Sequence, residues 1–176
     1  MILSFDPGTE NMAFCVLDYQ TLELHKVGKL LTTITKQNSY RQRKAYRNQI
    51  QRLLDTYKPQ YVVAESYQNR GMFRGAQVEL VNLMLGILID KFPGLELVQA
   101  STWKGHMRRQ YINDPKVQKQ YIKKGKKNYR FEMEHLLESE TISEHEMDAI
   151  GIGVYKAEKL RNENNLLYKF NDKRLR

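Results

Sequence analysis

The chain reads as an α/β domain: a five-stranded mixed sheet, strands 1–3 antiparallel and strands 4 and 5 parallel to strand 1, flanked by helices. Three observations predict it. Apolar runs at residues 1–5, 12–18 and 22–31 follow one another across short turns, which favours an antiparallel half-sheet. Two later runs, 60–65 and 95–99, each come after a helical stretch, and a strand reached through a helical crossover joins its sheet in parallel. The first of these is apolar at consecutive positions, Tyr61-Val62-Val63-Ala64, as a central strand covered on both faces requires.

Residues 1–5 form a short buried strand, and Asp6-Pro7-Gly8-Thr9 supplies a turn. The second strand, 12–18, contains the single Cys15, read as a small buried hydrophobe. In the third, 22–31, apolar and polar residues interleave. Residues 37–57 form a strongly polar helix with Ile50, Leu53, Leu54 and Tyr57 on its apolar face, ended at Lys58-Pro59. Residues 75–92 form a helix that is apolar nearly all round its axis, so both of its sides must be covered. One side is expected to face the sheet and the other a second copy of the chain, making a homodimer. Pro93-Gly94 breaks that helix before the fifth strand. The stretch 101–127 is expected to hold short helices and loop, 128–137 a helix and 143–162 the final helix. In that last helix Ser143 and Glu146 have the spacing of a capping box. Ala149, Gly151 and Gly153 are small enough to let it pack closely on the sheet. One domain is expected over 1–162, followed by a polar, basic tail, 163–176, that is partly disordered.

A chain of 176 residues suffices for one domain with a real core. No apolar stretch is long enough to cross a bilayer, and the first residues form strand and turn rather than a signal peptide. One cysteine permits neither an intramolecular disulfide nor a cysteine-based zinc site, and a cytoplasmic location is expected. The net charge of +9 is concentrated. Residues 101–130 hold ten Lys/Arg, among them Lys104, Arg108, Arg109, Lys123, Lys124, Lys126 and Lys127, against the single acid Asp114. A second island runs from Arg41 through Arg43, Lys44 and Arg47 to Arg52 with no acid. Charge gathered in this way points to a polyanionic partner, nucleic acid above all, although a solvated helix face is the plainer alternative. Phe73, Tyr111, Tyr121 and Tyr129 lie near these segments and suit either base stacking or core capping.

Three acids carry the chemistry. Asp6 ends the first apolar run and Glu65 ends the fourth, so parallel neighbouring strands would bring the two together at one edge of the sheet. Asp148 sits in the final helix, one turn after His145 and on the same face. A strand-end carboxylate alone is ordinarily a solvated terminus; three that converge can hold hard divalent cations. Two such ions activate water and stabilise a leaving oxygen in phosphodiester cleavage. Glu144 shares the face of Asp148, and Glu146 is read as a cap. His25, His106 and His135 lack partners at ligand spacing and are read as structural.

Together, Ile2-Leu3-Ser4-Phe5-Asp6-Pro7-Gly8-Thr9, Val62-Val63-Ala64-Glu65 and His145-Glu146-Met147-Asp148-Ala149 resemble the motifs of the RuvC-like Holliday junction resolvases. These belong to the RNase H-like superfamily, and short phage-type members are the nearest in pattern. The resemblance covers residues 1–160. It implies an RNase H-like sheet, catalytic metal-binding carboxylates at Asp6, Glu65 and Asp148, and His145 as the fourth catalytic residue, either metal ligand or general base. It also implies Mg²⁺, two ions per site with Mn²⁺ able to substitute, and a homodimer that nicks opposing strands of a four-way junction. Lys104 falls where that family places a basic residue near the scissile phosphate, and Lys126 or Lys127 resembles another. Tyr67, Arg70, Phe73 and Arg74 match the loop inserted at the junction centre. A phage-encoded member would work in the host-cell cytoplasm or nucleoid. The stretch 111–127 is longer and more basic than in typical bacterial members, which bears on junction selectivity.

Other readings keep part of this picture. An RNA or RNA–DNA hybrid nuclease has the same fold and another substrate. An architectural junction-binding dimer needs no intact acid triad. A sugar-kinase or actin-like ATPase needs a second phosphate loop and a second domain.

Overall fold

The computed structural model describes residues 1–8, 12–30, 39–66, 75–111, 117–121, 127–131 and 142–172. At its centre lie β1 (Ile2–Asp6), β2 (Ala13–Leu17), β3 (Leu24–Lys29), β4 (Tyr61–Ser66) and β5 (Glu96–Gln99), in the sheet order β3-β2-β1-β4-β5. β1 and β2 pair antiparallel, as do β2 and β3, while β4 runs parallel to β1 and β5 parallel to β4. This is the mixed sheet that the sequence predicts. Every residue of β1 and β2 is buried, so these strands are covered on both faces. The β2–β3 turn closes on the Asp18 carboxylate, which accepts from the backbone N–H groups of Gln20 and Thr21 at 2.8 and 2.9 Å.

Helices cover the two faces. Leu3, Phe5, Val16, Val62 and Ala64 form one core with Tyr46 and Ile50 of α1 (Ser39–Tyr57) and Met84 and Leu88 of α2 (Gly75–Lys91). The alternate residues Ile2, Cys15, Leu17 and Val63 join a second core. It is completed by Trp103 and Met107 of α3 (Ala100–Tyr111) and Ala149, Ile150, Ile152 and Val154 of α4 (Glu144–Asp172). Each fully buried side chain of this size contributes about 1.5–3 kcal/mol, and the two cores fix the sheet between them. His106 of α3 also meets Glu158 of α4 at 2.6 Å. Cys15 is fully buried, which pushes its thiol pKa upward and suits the role of a small hydrophobe.

Three stretches depart from the sequence reading. α3 is continuous, because Trp103 and Met107 stand one turn apart and bury one stripe of it. Beyond it, β6 (Val117–Tyr121) and β7 (Lys127–Phe131) form a separate antiparallel ribbon, with Val117 opposite Phe131 and Tyr121 opposite Lys127. Residues 128–131 are thus strand where a helix over 128–137 was expected; residues 132–137 lie outside the described residues. Tyr129 and Phe131 recur at period two, a strand spacing masked by the surrounding charge. The final helix also continues to Asp172, past the expected end at 162. In α2, Val81, Met84, Leu85, Ile87 and Leu88 are buried within this chain, and Ile89 is exposed.

Candidate metal and catalytic site

Asp6 ends β1, and Glu65 lies one residue from the end of β4. The parallel pairing that sets Phe5 beside Ala64 places Asp6 next to Glu65. By strand alternation, both belong with Ser4 and Val63 on the face covered by α3 and α4. Asp148 arrives on α4, whose first turn is built as a capping box. The Ser143 backbone N–H donates to Glu146 Oε2 at 2.9 Å, and the Glu146 N–H points back to Ser143 Oγ at 3.4 Å. The helix then presses on the central strands at Gly153. A Cβ there would stand 2.7 Å from Leu17 Cδ2 and 2.8 Å from Ser4 Oγ. The Ser4 hydroxyl donates to the Ala149 carbonyl at 2.7 Å, one residue beyond Asp148. Together these contacts bring carboxylate oxygens of Asp6, Glu65 and Asp148 within 4.8 Å of one another.

Each acid has a different neighbour. Trp103 Nε1–H donates to Glu65 Oε2 at 2.7 Å, the Lys104 ammonium donates to Asp148 Oδ2 at 2.7 Å, and His145 Nδ1 meets Asp6 Oδ2 at 2.7 Å. Burial raises the pKa of Glu65; the indole bond opposes this, and the charges of Asp6 and Asp148 add to it. Burial also raises that of Asp148 despite the adjacent Lys104. The hydrogen bond to Asp6 holds the His145 imidazole above its ordinary pKa. The partner of Nδ1 is a carboxylate oxygen, an acceptor, so the bond is made by the form that carries a proton on Nδ1. Burial pulls the Lys104 ammonium down, but the charge and hydrogen bond of Asp148 outweigh it and raise its pKa. Asp6 is buried and Glu65 and Asp148 are partly so; three carboxylates this close repel one another, and the Lys104 ammonium offsets only part of that repulsion. A hard divalent cation fits this all-oxygen donor set and would favour the charged form of each acid.

Comparison with solved structures shows that the fold is a known one. The chain superposes on Thermus thermophilus RuvC in complex with Holliday junction substrate at TM-score 0.61 and 15% identity, over 91% of this chain and 94% of that one. A second Thermus thermophilus RuvC structure gives 0.60 at 14% identity, over 92% and 96%. The yeast mitochondrial Holliday junction resolvase Ydc2 gives 0.58 at 13% identity, over 96% and 83%. The chain has the RuvC fold. No protein-family model matches its sequence, and no curated protein is significantly similar to it.

Within the RuvC fold the structure gathers Asp6, Glu65 and Asp148 directly, His145 through Asp6 and Lys104 through Asp148. Arg43, Lys44 and Arg47 lie along α1, where Arg47 is 3.3 Å from Asp90 of α2. Arg41 lies on the same helix, Arg108 and Arg109 near the end of α3, and Lys127 at the start of β7. Tyr67, Arg70, Phe73, Arg74, Lys123, Lys124 and Lys126 lie outside the described residues. Trp103 is the site residue that sequence reasoning passed over. Its one available signal was a lone tryptophan immediately before Lys104. Among the described residues no helix is long and apolar enough to cross a membrane.

Proposed function

We propose that the protein is a Mg²⁺-dependent endonuclease that nicks four-way junctions and related branched DNA. The observation that carries this reading is the approach of Asp6, Glu65 and Asp148 to within 4.8 Å at the ends of the central strands of a RuvC fold. Branched DNA as substrate is supported by the Thermus protein's capture on a Holliday junction and by the yeast protein's description as a junction resolvase. The basic segments 41–52 and 101–130 support it as well. Contacts through them fall on phosphates, so binding weakens steeply with salt and reads DNA shape more than base sequence.

Asp6, Glu65 and Asp148 would hold two Mg²⁺ ions, or Mn²⁺ in their place, which when bound activate water and neutralise charge on the departing oxygen. Lys104, already drawn to the carboxylates by Asp148, offers an ammonium to the scissile phosphate and offsets its charge. His145 is anchored to Asp6 through Nδ1, which keeps Nε2 as the nitrogen that takes or gives a proton. Lys123, Lys124, Lys126, Lys127, Arg108 and Arg109 clamp the DNA backbone. The protein acts as a homodimer joined through α2, each protomer nicking one of two opposing strands, in the cytoplasm or nucleoid.

Purified protein is incubated with synthetic four-way junctions and with linear duplex of the same sequence. The expected result is paired nicks in opposing strands of the junction, dependent on Mg²⁺. Asp6→Asn is expected to bind the junction as wild type does and to cut nothing. Equal cutting of linear duplex would remove the junction selectivity. Failure of wild type to cut any branched DNA with Mg²⁺ or Mn²⁺ would overturn the proposal.

A further inference from the structure

We propose that Trp103 is a positioning residue for the carboxylate site, holding Glu65 in place for a divalent ion, and that its indole reports the ion's binding. This rests on the function proposed above and adds a residue to it. Trp103 is buried between the sheet and α4. Its Nε1–H donates to Glu65 Oε2 at 2.7 Å. The far edge of the ring lies against α4 at Gly151, where an added Cβ would be 2.6 Å from Cζ3. The next residue, Lys104, reaches Asp148 at 2.7 Å, with its ammonium 4.8 Å from the Trp103 ring centre. Consecutive residues of α3 therefore hold the acid from β4 and the acid from α4. The same tryptophan sets the spacing between those two elements.

The chemistry of the indole suits that task. A buried tryptophan N–H needs an acceptor, and Glu65 supplies it. The indole is a donor only, so it cannot displace the acid from a cation or ligate one itself. It fixes one carboxylate oxygen and leaves the remaining acceptor positions free. Partners that orient a ligand in this way are worth about 10–100-fold in metal affinity or activity.

Trp103 is the chain's single tryptophan, so its emission belongs to this one site. Wild type is mixed with increasing Mg²⁺ while tryptophan emission and thermal unfolding are both followed. The expected result is an emission change whose midpoint coincides with that of the thermal shift. Glu65→Gln, which keeps an acceptor for the indole, is expected to show no change over the same range. Trp103→Phe is expected to bind Mg²⁺ about 10–100-fold more weakly by calorimetry, and to recover its cleavage rate when Mg²⁺ is raised accordingly. A purely structural loss would not be rescued by the ion. A folded Trp103→Phe with the wild-type Mg²⁺ midpoint would overturn the inference. Should that variant fail to fold, wild-type emission that stays flat while Mg²⁺ shifts the unfolding temperature overturns it equally. The two proposals fail separately. Wild type that binds Mg²⁺ with the emission change but cuts no junction sinks the function and sustains the positioning role. Wild type that cuts junctions, with Trp103→Phe needing no additional Mg²⁺, does the reverse.

Discussion

Replacing Glu65 by glutamine should make the metal-free protein more stable while destroying its response to Mg²⁺. The Glu65 carboxylate lies within 4.8 Å of those of Asp6 and Asp148. Like charges at that distance repel by about 3.5 kcal/mol per pair at an effective dielectric near 20. The Lys104 ammonium cancels roughly one of Glu65's two repulsions, and the indole bond weakens by about 1 kcal/mol when its acceptor becomes neutral. Glutamine keeps an oxygen for Trp103 Nε1–H, so no buried donor is orphaned. The net gain is then about 2 kcal/mol, which in a domain of this size raises the unfolding temperature by about 4–8 °C. The assay is thermal unfolding in a chelator and in excess Mg²⁺, for wild type and variant side by side.

The pH dependence follows from the same groups. Glu65 and Asp148 have raised pKa values, and so does His145. A group whose folded pKa is raised contributes stability below its unfolded pKa and loses it as pH rises through the folded value. All three act in one direction, so metal-free wild type loses site stability from mildly acidic pH upward. Glu65→Gln removes one of the three contributions and flattens that slope. Added Mg²⁺ binds the deprotonated acids, so its stabilisation of wild type grows with pH. A Glu65→Gln variant that melts at or below wild type in chelator at pH 7.5, or that gains as much from Mg²⁺, would refute the account of a strained, ion-holding carboxylate cluster.

Two further substitutions test the scaffold. Gly153→Ala gains about 1 kcal/mol of helix propensity and loses about 1–3 kcal/mol to overpacking against Leu17 and Ser4. Because Ser4 is held by its bond to the Ala149 carbonyl, it gives way poorly; urea unfolding should show net destabilisation of about 1–2 kcal/mol, and a neutral or stabilised variant would show that α4 is not pressed on the sheet there. Lys58 follows the last residue of α1 with a positive φ of 45°, its N–H bonded to the Leu54 carbonyl at 2.9 Å. Lys58→Gly should therefore stabilise by about 0.5–1 kcal/mol, because glycine enters the left-handed region without the Cβ clash; a lower unfolding temperature would contradict that cap.

The parts of this protein that could be read in advance are those whose chemistry is local. Asp6 announces itself by ending an apolar run before Pro7-Gly8, and Glu65 by ending another. The Ser143–Glu146 cap is written in four residues, and the structure forms it. Strand directions followed from the connections, short turns giving antiparallel pairs and helical crossovers parallel ones, and Gly153 did permit the close approach of α4. The β6–β7 ribbon was missed because its period-two pattern is short and interrupted by lysines, so composition spoke louder than spacing. Trp103 was missed for a different reason. A tryptophan in a helix reads as core, and it is core. Its second role exists only through contact with Glu65, 38 residues earlier in the chain. Nothing near Trp103 in sequence distinguishes an indole whose N–H meets a carboxylate from one that meets a backbone carbonyl. The groups that hold a ligand's own side chains in place are set by tertiary contact, and their identity becomes visible only once β4, α3 and α4 are packed together. That is why the acids of this site were legible and the residue that orients one of them was not.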